Sequence, residues 1–322
     1  MSVRVLAPGL ATAIQAGPRN GLRHLGVAGA GALDPYSHAV ANLLVGNAPD
    51  APALEITLAG PGLRFERDAR VALCGARIDA KAGGGALPGW RPLLLPAGTE
   101  LALGHCRAGA RAYLTVAGGF KVAHMLGSAS TDLATGFGGI AGRCLAEGDV
   151  LAVGGGDEIE AGDIHAGSWW IDSAPDLDLD ASPQIVRVLP GAGARRPPPD
   201  LLDAHWQVMA ASNRQGLRLH GPALDHGPGD LLPSEPVTPG TVQLPPDGQP
   251  IVLLADAQTH GGYPRIGHVI RADRPRLAQL RPGDALRFVP CTLEQAHQAL
   301  REQRQRLQRI ALAIRGRNEG HA

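Results

Sequence analysis

Short apolar runs closed by Gly or Pro dominate the chain. Residues 3–6, 53–58, 71–74, 112–116, 185–189, 251–254 and 285–289 are rich in Val, Ile, Leu and Thr, the composition of strands on a half-buried pleated surface. No regular long helices separate them, which argues against a doubly wound parallel sheet. Many short strands with Gly/Pro turns predict barrels or sandwiches. Two stretches carry helix signals. Asp34 before Pro35 predicts a helix over 35–45, with Asp34 as N-cap and Pro at the first position. Thr292 with Gln295 three residues on is a capping box opening a helix over 293–315. Leu293, Leu300, Leu307 and Ile314 recur every seven residues with Ala296 and Ile310 beside them. That apolar stripe is expected to pack on its own domain, with docking of a partner as the alternative.

The pattern also repeats. Val3-Arg4-Val5-Leu6 returns as Val186-Arg187-Val188-Leu189, and Arg19-Asn20-Gly21-Leu22-Arg23 as Arg214-Gln215-Gly216-Leu217-Arg218. Residues 63–73 resemble 242–253, and Gly148-Asp149 resembles Gly283-Asp284. The first three matches lie about 180 to 195 residues apart and the last about 135, all in one order. The expectation is two related β-barrel domains, 1–165 and 185–322, the second carrying the C-terminal helix. An Asp/Gly/Ala-rich linker over 166–184 joins them. Arg195-Arg196-Pro197-Pro198-Pro199 reads as a loop, because Pro cannot donate to a ladder.

With 322 residues there is room for two buried cores. The formal net charge is zero and aromatic residues are 3% of the chain, so nucleic acid and anionic membrane surfaces are not expected partners. The 44 Gly and 27 Pro occur in a chain that is 44% hydrophobic, which favours turn-rich β structure over disorder. Cys74, Cys106, Cys144 and Cys291 form no close pair and sit in apolar runs; they are expected to be buried, reduced thiols. The start of the chain lacks a secretory pattern, and no apolar run approaches the roughly 20 residues that span a bilayer. A cytoplasmic location is expected. Lys81 and Lys121 are the only lysines, so lysine-centred chemistry has few candidates.

No P-loop, Gly-x-Ser-x-Gly elbow or His-Glu-x-x-His is present. His205, His220 and His226 have spacings unlike a common metal site, and Asp157, Glu158, Glu160 and Asp163 read as a solvated acidic turn. No metal site is expected. Two clusters carry chemistry. Asp256-Ala257-Gln258-Thr259-His260-Gly261-Gly262-Tyr263-Pro264-Arg265 leaves the apolar strand at 251–255. Asp256, Gln258 and Tyr263 are the catalytic candidates. Thr259, Gly261, Gly262 and Arg265 are the binding candidates, with glycine backbone N–H groups able to approach an oxygen and Arg able to grip a carboxylate. The bland alternative is a Gly-Gly hairpin with turn-capping side chains. The second cluster, Gly127-Ser128-Ala129-Ser130-Thr131-Asp132 before Gly136-Phe137-Gly138-Gly139, offers Ser130, Thr131 and Asp132 to a polar ligand, or as turn caps. Arg214 and Arg218 add a pair of cations that either hold an anion or brace the domain.

Several of these stretches together resemble one family. Gly31-Ala32-Leu33-Asp34, Ala41-Asn42-Leu43-Leu44-Val45-Gly46-Asn47 and Leu54-Glu55-Ile56-Thr57 match its N-terminal signature. Val116-Ala117-Gly118-Gly119 and residues 127–132 match its middle. Val242-Gln243-Leu244-Pro245-Pro246-Asp247-Gly248 and residues 258–264 match its C-terminal core. The chain is similar to the KipA family, also called allophanate hydrolase subunit 2 or biotin-dependent carboxyltransferase family, over about residues 3–289. Its bacterial members include the C subunit of 5-oxoprolinase. The resemblance implies mainly β architecture with two tandem cyclophilin-like β-barrel domains, a few short helices and a C-terminal helix. It implies a KipI-like B subunit and a LamB/YcsF-like A subunit as partners. The implied reaction opens 5-oxo-L-proline to L-glutamate with ATP hydrolysis, ATP and Mg belonging to the assembled complex and the chain being inactive alone. No biotin is expected on this chain, because neither lysine follows a Met. The family pattern has Asp and Met where this chain reads Ser212-Asn213-Arg214-Gln215, so an acid/base role there is in doubt. Two alternatives remain: a carboxyltransferase component of a biotin-dependent urea or amide carboxylase, and a non-enzymatic binder of a KipI-like kinase inhibitor.

Overall fold

The computed structural model describes residues 2–155, 162–173, 176–191, 197–225 and 233–319. Asp157, Glu158, Glu160, Arg195, Arg196 and His226 lie outside the described residues. The chain is mainly β and groups into two compact units. Unit one comprises Met1–Arg19, Ala30–Leu179 and Gln305–Ala322; unit two comprises Asn20–Gly29 and Asp180–Arg304. The grouping is therefore not one of contiguous segments. Residues 20–29 join unit two, where Arg23 bonds the carbonyls of Val237 and Gln258. Residues 305–319 join unit one, where Leu307, Ile310 and Ile314 pack with the helix at 35–44.

Unit one contains β1 (Ser2–Ala7), β2 (Ala11–Gln15), β3 (Ala53–Thr57), β4 (Gly62–Phe65), β5 (Ala69–Ala82), β6 (Gly85–Ala86), β7 (Pro92–Leu95), β8 (Glu100–Val116), β9 (Val150–Ala152) and β10 (His165–Ala166). They form one ten-stranded antiparallel sheet along β10-β7-β5-β8-β4-β1-β9, with β3 also on β8 and β2 on β3. The spine is the pair β5–β8, whose register shifts between Gly75 and Ala80. Such bulges bend long strands and sharpen their twist. Alternation sets the faces: Val3 and Val5 are buried while Arg4 between them is exposed. The helix α1 (Pro35–Leu44) lays Tyr36, Val40, Ala41 and Leu44 on Ala72, Cys74 and Tyr113. Its cap is as the sequence predicts: the Asp34 side chain accepts from the Ser37 backbone N–H at 2.9 Å.

Unit two contains β11 (Gln184–Pro190), β12 (Trp206–Val208), β13 (Gly216–His220), β14 (Glu235–Pro236), β15 (Thr241–Gln243), β16 (Ile251–Leu253), β17 (His260–Gly261), β18 (Arg265–Val269) and β19 (Ala285–Pro290). Seven of them close a barrel in the order β11-β18-β15-β16-β13-β12-β19, and β14 pairs with β17 outside it. Closure removes free sheet edges, which otherwise invite pairing with other chains. The ladders are antiparallel except β11–β19, which is parallel. Val186, Val188, Trp206, Leu219, Val242, Val252 and Phe288 fill the interior. Short helices α2 (Pro199–Asp203) and α3 (Arg274–Gln279) complete the unit.

The long helix α4 (Leu293–Glu319) opens with the predicted capping box: Thr292 N–H donates to Gln295 Oε1 at 2.9 Å, and Gln295 N–H to Thr292 Oγ1 at 3.2 Å. The stripe needs correction at its start. Leu293 is 60% exposed, and the packed positions begin at Ala296 and Ala299, against Ile270 and Ala272. The cysteines need correction too. Cys74 is buried, but Cys106, Cys144 and Cys291 are only partly so; all four are free thiols. No described helix is long and apolar enough to cross a membrane.

Candidate functional site

The 256–265 stretch leaves β16 and crosses to β18, with a two-residue pairing to β14 on the way. Glu235 pairs with Gly261 and Pro236 with His260. Arg265 clamps the same flap by an ion pair to Glu235 and a bond to the Pro236 carbonyl. Arg23 completes the fastening, donating through one terminal nitrogen to the Val237 and Gln258 carbonyls, both at 2.8 Å. The polar residues of this loop are therefore held on a braced segment.

Their individual positions differ from one another. The Asp256 carboxylate is buried and receives both Nε (2.8 Å) and a terminal nitrogen (2.9 Å) of Arg214. Backbone completes the link, since Asp256 N–H donates to the Arg214 carbonyl at 3.0 Å. A bidentate pair of this kind is short, directional and costly to break on one side. Asp256 and Arg214 thus brace the loop to the 212–216 turn. Asn213 shapes that turn, accepting from Gln215 N–H at 2.8 Å; the missing carboxylate there leaves a local cap. Arg218 points out of β13 and is exposed. Thr259 is buried, its hydroxyl 2.9 Å from Nδ1 of the exposed His260. Gly261 has a steric reason: a Cβ there would stand 2.5 Å from Gln243 Nε2. Gly262 lies between β17 and β18, partly exposed. Gln258 and Tyr263 remain solvent-facing. The Gln258 amide N–H donates to Gln243 Oε1 at 3.4 Å, and Tyr263 is 37% exposed.

Unit one places Ser130, Thr131 and Asp132 together and buried, in bonds that fasten a loop to the end of β2. Ser130 Oγ accepts from Ala16 N–H at 2.9 Å and donates to the Gly17 carbonyl at 3.2 Å. Thr131 Oγ1 donates to the Ile14 carbonyl at 2.8 Å. Asp132 Oδ1 accepts from Ala134 and Thr135 N–H, both at 3.1 Å, while its Oδ2 is buried with no hydrogen-bond partner among the described residues. Arg19 donates to the Met125 and Ser130 carbonyls and stacks 4.5 Å over Phe137. The hydroxyls serve the backbone, the structural alternative raised by the motif.

Sequence reading missed several polar residues. In unit one Glu55 Oε2 accepts from Tyr113 OH at 2.8 Å and from Leu33 N–H at 2.9 Å, and Tyr113 OH accepts from Asp34 N–H at 2.8 Å. Burial, then the Glu55 and Asp34 charges, hold the Tyr113 phenol well above its usual range. Tyr36 is raised by burial and the Asp176 carboxylate beside it, and His38 is lowered by burial. Asp176 itself pairs with Arg306 of α4 at 2.9 Å. In unit two Gln243, His268 and Arg274 lie beside the braced loop. Gln243 lies in the Val242–Gly248 stretch, and Arg274 in the charged run from Arg271 to Arg276, where it resembles an ordinary surface cation; strand pairing brings Gln243 and His268 near one another through Thr241.

A closed barrel, a second antiparallel unit and a polar loop fastened at one barrel end define the architecture of a carboxyltransferase domain. The chain belongs to that family, matching the carboxyltransferase domain, subdomain A and B, over residues 25–290. It is 40% identical to the 5-oxoprolinase C subunit of Escherichia coli (strain K12), over 98% of this chain and 100% of that one. It is 34% identical to the C subunit of the Haemophilus influenzae 5-oxoprolinase, over 93% and 94% respectively. Among solved structures, the urea amidolyase of K. lactis superposes with a TM-score of 0.84 at 30% identity, covering 96% of this chain. The chain spans only 20% of that much longer protein.

Proposed function

We propose that the chain is the C-type subunit of an ATP-dependent 5-oxoprolinase, working with a KipI-like B subunit and a LamB/YcsF-like A subunit. The observation that carries this reading is the 40% identity to the E. coli 5-oxoprolinase C subunit over that protein's whole length. The reaction adds water across the lactam C–N bond of 5-oxo-L-proline, giving L-glutamate, while ATP and a second water give ADP and phosphate. A lactam is a poor electrophile, which is the reason to couple its opening to ATP. Mg and ATP are assigned to the assembled complex, in the cytoplasm. In this chain Gln258 and Tyr263 are two exposed polar groups of the braced loop and are assigned to orient the substrate by hydrogen bonding. Asp256 and Arg214 keep that loop in place.

The test is glutamate formation from 5-oxo-L-proline and ATP, with the purified chain alone and mixed with its B and A subunits. Turnover is expected only in the complete mixture. Tyr263→Phe and Gln258→Ala, each folded by circular dichroism, are expected to lower kcat/KM by about tenfold or more. Equal turnover without this chain, or biotin-dependent urea carboxylation in its place, overturns the reading. Full activity in both variants overturns the site.

A further inference from the structure

Four carboxylates of unit two are each held by an arginine. Glu235 pairs with Arg265, Asp256 with Arg214 and Asp284 with Arg281. Asp273 receives Arg187 through its backbone N–H at 2.8 Å, its Nε at 3.0 Å and a terminal nitrogen at 2.6 Å. Two further arginines of the unit, Arg23 and Arg274, are bonded only to carbonyl oxygens among the described residues. Arg23 serves Val237 and Gln258, and Arg274 serves Pro239. These carbonyls carry no net charge, so neither guanidinium has a counter-ion among the described residues.

The unmet atoms are all donors. Arg23 Nη1, Arg274 Nε and Gln243 Nε2 are buried without a hydrogen-bond partner among the described residues. They belong to one neighbourhood. Arg23 is bonded to the Gln258 carbonyl, and the Gln258 side chain is bonded to Gln243. Arg274 feels the Arg23 charge: burial, then the Arg271 and Arg23 charges, bring its guanidinium down to about 10. Beside it, burial and the Arg274 charge bring His268 down to about 4, which leaves that imidazole neutral near pH 7. Orphaned buried donors are uncommon and costly in folded proteins; Arg23 and Arg274 bond carbonyls two residues apart, at Val237 and Pro239, and donors with two cationic charges in one neighbourhood complement one kind of group.

We propose that Arg23, Arg274 and Gln243 form a binding site in unit two for a small oxyanion, a carboxylate or phosphate group. The fork of Arg23 has one arm fixed to backbone and the other free to bond an oxygen. Gln243 supplies a neutral donor from the end of β15, its carboxamide packed against Gly261, where a Cβ would stand 2.5 Å from Nε2. The Gln258 side chain adjoins the site through its bond to Gln243, and the site stands whether or not the chain serves an oxoprolinase.

The experiment is calorimetric titration of the purified full chain, without ATP or partner subunits, with two probes: inorganic phosphate and 5-oxo-L-proline. Saturable binding of at least one is expected, and the probe that binds distinguishes the phosphate source from the carboxylate source. Arg274→Lys and Gln243→Leu are each expected to weaken it by about tenfold or more. Arg281→Gln removes a positive charge from the half-buried pair with Asp284 and is expected to leave affinity unchanged. Arg274→Lys keeps the charge and Gln243→Leu introduces none, so folded protein is expected for at least one; circular dichroism checks this. Binding of neither probe, or unchanged affinity in the folded variants, overturns the proposal. Because no turnover is measured, a failed oxoprolinase assay and a failed site are distinguishable.

Discussion

Asp256 shows how far a residue's neighbours decide its chemistry. An Asp at the end of an apolar strand, followed by Gln, Thr and two glycines, suggests a base. The chain delivers Arg214 to it from 42 residues away, with two bonds below 3 Å. Breaking a buried pair on one side leaves an uncompensated charge and costs about 3–5 kcal/mol, while replacing both partners by apolar residues of similar size is often neutral. Arg214→Ala is therefore expected to lower the urea midpoint strongly, and Arg214→Met with Asp256→Leu to recover most of it. Equal loss in the single and double variants would contradict the bracing role. The same contrast runs through Ser130 and Thr131, whose hydroxyls are consumed by the carbonyls of residues 14 and 17.

At the scale of elements, the strands were legible because burial on one face leaves a short-period pattern. The expected runs at 3–6, 71–74, 112–116, 185–189 and 285–289 fall on strands, and those at 53–58 and 251–254 run one residue past theirs. Both helix caps were legible for a similar reason: they are local, closed by side chains three residues apart. The α4 stripe was only partly legible. A seven-residue apolar repeat says which face is apolar but not where burial begins, and Leu293 stays in solvent. Ile314, at the other end, is 4% exposed within the unit-one core, beside Tyr36 and Leu44. Ile314→Ala is expected to cost about 2–5 kcal/mol by transfer and cavity terms. Leu293→Ala is expected to cost within about 0.5 kcal/mol, as surface changes do. Paired urea melts check both.

For the whole molecule, pH reports on the buried cations and imidazole of unit two. His268 has a folded pKa near 4 against an ordinary 6.5. Between those values the unfolded chain binds a proton that the folded chain refuses. The stability associated with neutral burial is thus complete above about pH 6.5 and is lost as pH falls toward 4. The loss approaches about 3 kcal/mol. Urea midpoints at pH 7 and pH 5 are expected to differ more for the parent protein than for His268→Gln. An unchanged difference would remove His268 from this account.

The amino-acid sequence by itself determined the β-rich character, the two helix caps and the family signature, because each is written in residues close along the chain or in one fixed order of motifs. Tertiary structure alone decided which carboxylates are paired, that unit two closes as a seven-stranded barrel, and that residues 20–29 group with it. It also gathered Arg23, Gln243 and Arg274, which lie up to 251 positions apart in the sequence. The physical reason is that burial and ion pairing depend on strand register and barrel closure. Those are properties of contacts between distant segments, to which a local pattern of hydrophobic and polar positions is blind.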